Sequence, residues 1–179
     1  MSAINSPVIR ALNTINKMAL WISSIGLVLM TIFIAYQVFS RYVLNDSPSW
    51  TEAVATMLMT WFIFLGAAVG VRERYHLGFD VLLLAASDRL RLIMRTISDL
   101  VVLGFGAGMI VYGMQLVLRT WDATIPILNI PGGFTYIPIV AGGVLTCLFT
   151  LERLAMRFSG VDPDQELAED ELNIEMAKV

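Results

Sequence analysis

Arg41 and Tyr42 close one apolar run, and Trp50 and Glu52 open the next, in the stretch RYVLNDSPSWTEAV over residues 41–54. A guanidinium and a carboxylate on the two arms of one hairpin can pair and pin it. Tyrosine and tryptophan are amphipathic rings that settle where water meets an apolar phase. A plainer reading uses the same residues as an interfacial belt. Arg41 snorkels outward, Ser47 or Ser49 caps the second helix beside Pro48, and Glu52 complements its positive N-terminal end. The two readings are compatible, since an exposed ion pair contributes only about 0–1 kcal/mol.

A second cluster is VRERYHLGFD, residues 71–80. Here Arg72 or Arg74, together with His76, can hold Asp80 or meet a partner or a lipid phosphate. His76 has the intrinsic pKa range of a pH sensor. The structural reading is the stronger one: cations flanking a span, a turn at Gly78 and a helix N-cap at Asp80.

Catalysis finds little footing. His76 is the single histidine and Cys147 the single cysteine, which excludes a bis-histidine haem and an internal disulfide. No group of Cys, His and carboxylates has metal-ligand spacing. There is no Gly-rich phosphate loop and no nucleophile elbow. The expectation is a chain that is not an enzyme, carries no cofactor and does not bind nucleic acid.

The elements that position these residues follow from composition. Hydrophobic residues make up 57% of the 179 and charged residues 15%, with a mean hydropathy of +0.73; a soluble domain carries about 25% charged residues. Four stretches approach the about 20 apolar residues that a membrane helix needs. They are residues 18–40, 53–71, about 100–118 and about 134–151. Their runs are continuous rather than alternating, which excludes a β-barrel. The first exceeds a signal-peptide core and ends in Phe39-Ser40-Arg41-Tyr42 rather than a small-x-small cleavage site. The fold class is therefore an all-α integral membrane protein with four transmembrane helices.

Outside the spans, Ser6-Pro7 reads as N-cap and N1, and Val8, Ile9, Leu12 and Ile15 share one helical face. Residues 1–17 are expected to form a short amphipathic interfacial helix on the membrane. Residues 80–99 are too charged to span. They read as an amphipathic helix that either lies in the interface or extends span three. The four-span domain covers 18–155, and 156–179 is an acidic tail with seven carboxylates and one lysine after Gly160. Ten of the twelve Lys and Arg fall on the side of the termini and of the loop after span two, against Arg41 and Arg119 on the other. The positive-inside rule makes both termini cytoplasmic.

Charged groups avoid the middle of every span, and no span carries the mid-helix Gly/Pro break of an ion-binding helix. No internal repeat is evident. Gly66–Gly70 and Gly104–Gly108 form GxxxG pairs, and Gly142-Gly143 lies in span four, all of which suit close helix approach. The chain reads as a packing element.

Three stretches in order, RYVLNDSPSWTEAVATMLMTWFIFLGAAVGVR, HLGFDVL and IPILNIPGGFTYIPIVAG, resemble the small membrane subunit of tripartite ATP-independent periplasmic (TRAP) transporters. The resemblance covers about residues 18–155. Glu52-Ala53 stands where many members have two acids. Residues Pro126, Pro131 and Tyr136 mark the outer loop that leads into span four. The resemblance implies a sodium-gradient-driven system in which a periplasmic binding protein delivers an organic acid, such as a C4-dicarboxylate or sialic acid, to a large membrane subunit. The small subunit then packs against the large subunit's scaffold and anchors it in the bacterial inner membrane, without holding substrate or sodium. Its interface candidates are Arg41, Tyr42, Trp50, Glu52, Arg72, His76, Asp80, Pro126, Pro131 and Tyr136. Two other roles compete: an anchor for some other membrane complex, and a self-associating four-helix exporter. The exporter usually needs a carboxylate in its first span, and residues 18–40 have none.

Overall fold

In a computed structural model, the structure describes residues 7–46, 48–73 and 88–158. Four helices dominate: α1 Pro7–Val43, α2 Ser49–Glu73, α3 Asp88–Arg119 and α4 Ile137–Phe158. Each contains one sequence-expected span almost whole, and each is long and apolar enough to cross a membrane. The fourth span begins in the short 3-10 turn Gly132–Thr135 that leads into α4.

Residues 7–17 are helical, but they do not form the separate interfacial helix expected there. They are the first turns of α1, which runs unbroken for 37 residues. No Gly or Pro lies between Val8 and Ile25 to interrupt it. Asn16 also ties this end down, its Nδ2 donating to Glu73 Oε1 at 2.6 Å. At about 1.5 Å per residue, α1 is roughly 55 Å long, more than the about 30 Å hydrocarbon core. Residues 88–99 likewise continue into span three as α3, so over the described part the extension alternative holds. His76, Asp80 and the acidic tail after Phe158 lie outside the described residues.

The chain ends its helices with residues that tolerate unusual backbone. Asn45 stops α1 in the left-handed region (φ 52°), where asparagine is one of the few acceptable residues. The Ser40 carbonyl then accepts from the N–H groups of Leu44 and Asp46. Ser49 is already helical. The hydroxyl of the fully buried Thr51 donates to Pro48 O at 2.7 Å and braces the first turn of α2. Between α3 and α4 the chain forms a small hairpin, β1 Thr124–Ile125 against β2 Ile130–Pro131, with Thr124 opposite Pro131. Asn129 (φ 53°) completes its turn.

The main packing pairs are α1 with α2, α2 with α4, and α4 with α3. The two inner helices, α2 and α4, run parallel, and α1 and α3 flank them. Burial follows this order. In the apolar window of the fourth span 33% of residues are buried, but only 17% in the first and third. Large apolar side chains on α1 and α3, such as Trp21, Val28, Val101 and Phe105, are exposed.

Adjacent glycines let α4 approach both neighbours. A Cβ at Gly142 would sit 2.8 Å from Phe64 Cβ on α2, and one at Gly143 would sit 2.9 Å from Gly106 O on α3. The GxxxG pairs behave differently. Gly66 abuts Ser23 Oγ at 3.1 Å, but Gly70, Gly104 and Gly108 face open space. Among the described residues these three therefore make no close helix approach. Gly104 and Gly108 lie on the side of α3 turned away from α4, because packing selects Gly106 and Gly113 for that contact instead.

Gly142→Val and Gly143→Val should each lower stability in detergent by about 1–3 kcal/mol through overpacking. Gly104→Ala should be neutral or slightly stabilising, since alanine favours helix. Thermal unfolding of the purified chain checks both, and an unchanged melt for both valine variants would refute the packing assignment.

Candidate functional site

The two ends of the bundle differ. At the loop end, which carries both α1–α2 and α3–α4 connections, Trp50 meets Phe33 edge to face with centroids 5.8 Å apart. That contact joins the start of α2 to α1. Arg41 and Glu52 line one groove between the same two helices. Of the two readings given for them, the ion pair does not form: among the described residues no contact within 4.0 Å joins them, and both side chains stay exposed. An exposed ion pair contributes only about 0–1 kcal/mol, so little is lost when the two charges stay apart. Tyr42 is more than three-quarters exposed.

The proline-marked loop forms a second, separate feature. Pro126 is exposed in the hairpin turn and Pro131 sits in β2. Tyr136 is half-buried and donates its N–H to Gly133 O at 3.0 Å, just before α4. Trp121 stacks on Phe134 at 5.7 Å and closes the loop over the end of α3.

At the other end, charged side chains of α2, α3 and α4 converge with polar groups of α1. Arg72 on α2 makes a forked contact with Glu152 on α4, Nε to Oε2 at 3.1 Å and Nη2 to Oε1 at 3.0 Å. The same guanidinium donates to Leu12 O at 3.2 Å and Asn13 Oδ1 at 2.7 Å on α1. It also lies 5.1 Å from the ring centroid of the buried Phe149, a cation–π geometry. Asp99 on α3 receives two guanidiniums from α4. Arg153 Nη1 donates to Oδ1 at 3.0 Å, and Arg157 Nη1 lies 2.8 Å from Oδ2. The second contact is electrostatic rather than well directed, since neither atom has an aligned hydrogen bond. Arg153 Nη2 also donates to Val71 O on α2.

Arg72, Arg153 and Arg157 balance Asp99, Glu152 and the neighbouring Glu73 in formal charge. The ion-paired side chains keep at most 15% of their surface exposed. Burying an ion is costly unless it is paired and hydrogen-bonded, and here each guanidinium meets a carboxylate. Of the residues singled out from sequence, only Arg72 belongs to this cluster. Asp99, Glu152, Arg153 and Arg157 were missed as a group. One signal was available: Glu152 and Asp99 are acids at span ends on the arginine-rich side, where an acid needs a partner. The arrangement locks helices together. Nothing in it resembles a nucleophile with its base.

Asp99→Ala should strand two guanidiniums and cost about 3–5 kcal/mol, the range for breaking a buried pair. Arg72→Lys keeps the charge but loses the planar fork, so a smaller loss is expected. Unfolding temperature and protease resistance in detergent report both, and a wild-type melt for Asp99→Ala would show that the cluster does not hold the helices.

Comparison with known proteins agrees with this architecture. Residues 18–160 match the family described as tripartite ATP-independent periplasmic transporters, DctQ component. A candidate TRAP transporter small permease protein of Haemophilus influenzae is 31% identical over 132 residues, covering 72% of this chain and 80% of that protein. The C4-dicarboxylate TRAP transporter small permease DctQ of Vibrio cholerae is 29% identical over 56% of this chain, a match spanning only 40% of the relative's length. The sialic acid TRAP transporter small permease SiaQ of the same species is 23% identical over 68% of this chain and 70% of its own. With four helices able to cross a membrane, the chain is a multi-pass protein of the bacterial inner membrane, and it belongs to the DctQ, small-permease family of TRAP transporters.

Proposed function

We propose that the chain is the non-translocating small subunit of a sodium-gradient-driven, binding-protein-dependent transporter for an organic acid. It packs against the scaffold of the large membrane subunit and anchors it. The observation that carries this reading is the distribution of charge. Among the described residues every Asp, Glu, Lys and Arg of the four helices lies outside the apolar stretches 18–40, 53–71, 100–118 and 134–151, and α1–α3 run unbroken. Ionised groups at midspan or an opened helix mark a path for an anion or for sodium. The exposed apolar faces of α1 and α3 suit docking against another membrane protein.

The charged end faces the cytoplasm by its excess of Lys and Arg. The two loops then face the periplasm, where they are placed to touch a docked binding protein. The relatives named for C4-dicarboxylate and for sialic acid support an organic acid as substrate. The small subunit itself does not hold that substrate. Trp50, braced on Phe33, fixes the outer edge of the face offered to the large subunit.

Gentle purification of the tagged chain from its native membranes tests the reading. A large polytopic subunit should co-purify, and the pair with its binding protein should show sodium-dependent organic-acid uptake after reconstitution. Isolation of the chain alone or as a homo-oligomer would sink the proposal. Trp50→Ala or Glu52→Ala should reduce complex assembly or uptake, and intact complex with wild-type uptake in both variants would remove the loop end from the interface.

A further inference from the structure

The groove holding Arg41 and Glu52 has a graded lining that the transporter reading does not explain. Its volume is about 330 Å³. On α1 it follows Arg41, Gln37, Ile34 and Met30, a single helical stripe at spacings of four, three and four residues. On α2 it follows Glu52, Thr56 and Met59. Read from the mouth inward, the lining changes from two charges to two neutral polar groups and then to apolar side chains. With about 1.5 Å of rise per residue, the α1 wall descends roughly 16 Å from the helix end into the hydrocarbon.

We infer that this groove binds one phospholipid of the phosphatidylethanolamine class. The headgroup of such a lipid carries a phosphodiester and a primary ammonium. Arg41 supplies donors for the phosphate and Glu52 an acceptor for the ammonium. Neither charge is taken by the other, and both are exposed at the mouth. Gln37 and Thr56 stand at the glycerol level, and one acyl chain lies along Ile34, Met30 and Met59. A purely anionic headgroup would leave Glu52 facing like charge. A quaternary ammonium has no N–H to donate to it. The inference depends on the chain residing in a bilayer and not on the identity of its large partner.

The test is lipid retention. The full chain, with whatever subunit accompanies it, is exchanged into bilayer discs of equal phosphatidylethanolamine and phosphatidylglycerol, then extracted gently and weighed by native mass spectrometry. Wild type should retain phosphatidylethanolamine in preference. Glu52→Gln should reduce that preference by about threefold, the scale of one exposed charge contact, and Arg41→Gln should reduce retention of both lipids. Replacing phosphatidylethanolamine by phosphatidylcholine should also lower retention. Equal retention of the two lipids by wild type would overturn the proposal, and this arm stands even if a variant fails to fold. An unchanged preference in a folded Glu52→Gln protein would overturn it too. So would a photoreactive side chain at position 56 that captured polypeptide instead of lipid.

Discussion

The fork between Arg72 and Glu152 is the contact on which the bundle turns. In a bilayer the hydrophobic effect does not drive helices together, because lipid tails are as apolar as leucine. Association must come from close packing and from polar groups that find partners only in the folded state. Arg72 supplies the second of these for three helices at once, meeting α1 through Leu12 O and Asn13, and α4 through Glu152 and Phe149. Lysine would not substitute. A guanidinium presents five donors in one plane and stays charged when partly desolvated. Arg153 extends the lock to the fourth helix through Asp99, so the cluster specifies which helices are neighbours.

Close packing supplies the remainder, and it is concentrated on α4. Gly142 and Gly143 are consecutive, so their missing side chains point about 100° apart around the helix. One faces Phe64 of α2 and the other faces Gly106 of α3. A single pair of small residues thereby sets two interhelical distances. The outer helices gain no such closure on their far sides. Their exposed apolar side chains are compatible with a folded monomer only because lipid, or another membrane protein, replaces water there.

The spans were legible because their signal is local. An uninterrupted apolar run of about 20 residues has few soluble explanations, and all four runs became helices. The separate status of the N-terminal helix was not legible in the same way. Its amphipathic pattern was real, but whether a helix bends at the interface depends on contacts such as Asn16 with Glu73, which are 57 residues apart. The GxxxG pairs failed for a related reason. Spacing shows that two glycines share a face, and only the fold shows whether that face meets a neighbour. Arg41 and Glu52 were placed together correctly by the hairpin, but proximity in sequence did not make them a pair. The Asp99, Glu152, Arg153 and Arg157 group was the hardest, since its members come from helices whose adjacency the sequence does not state.

The two ends of the molecule therefore carry opposite kinds of charge. At the charged end, Arg72, Arg153 and Arg157 each meet a carboxylate of the same chain, and their side chains are largely withdrawn from solvent. Groups paired in this way are held by the fold, because binding a ligand would mean giving up charge contacts already made in a medium of low dielectric. At the loop end, Arg41 and Glu52 share a groove without contact and remain exposed. Each can therefore take a new partner at the cost of shedding water alone. With the proposed lipid site, rigidity belongs to one end and recognition to the other. This division suits a subunit that must hold its own shape in the membrane while presenting a fixed surface to something else.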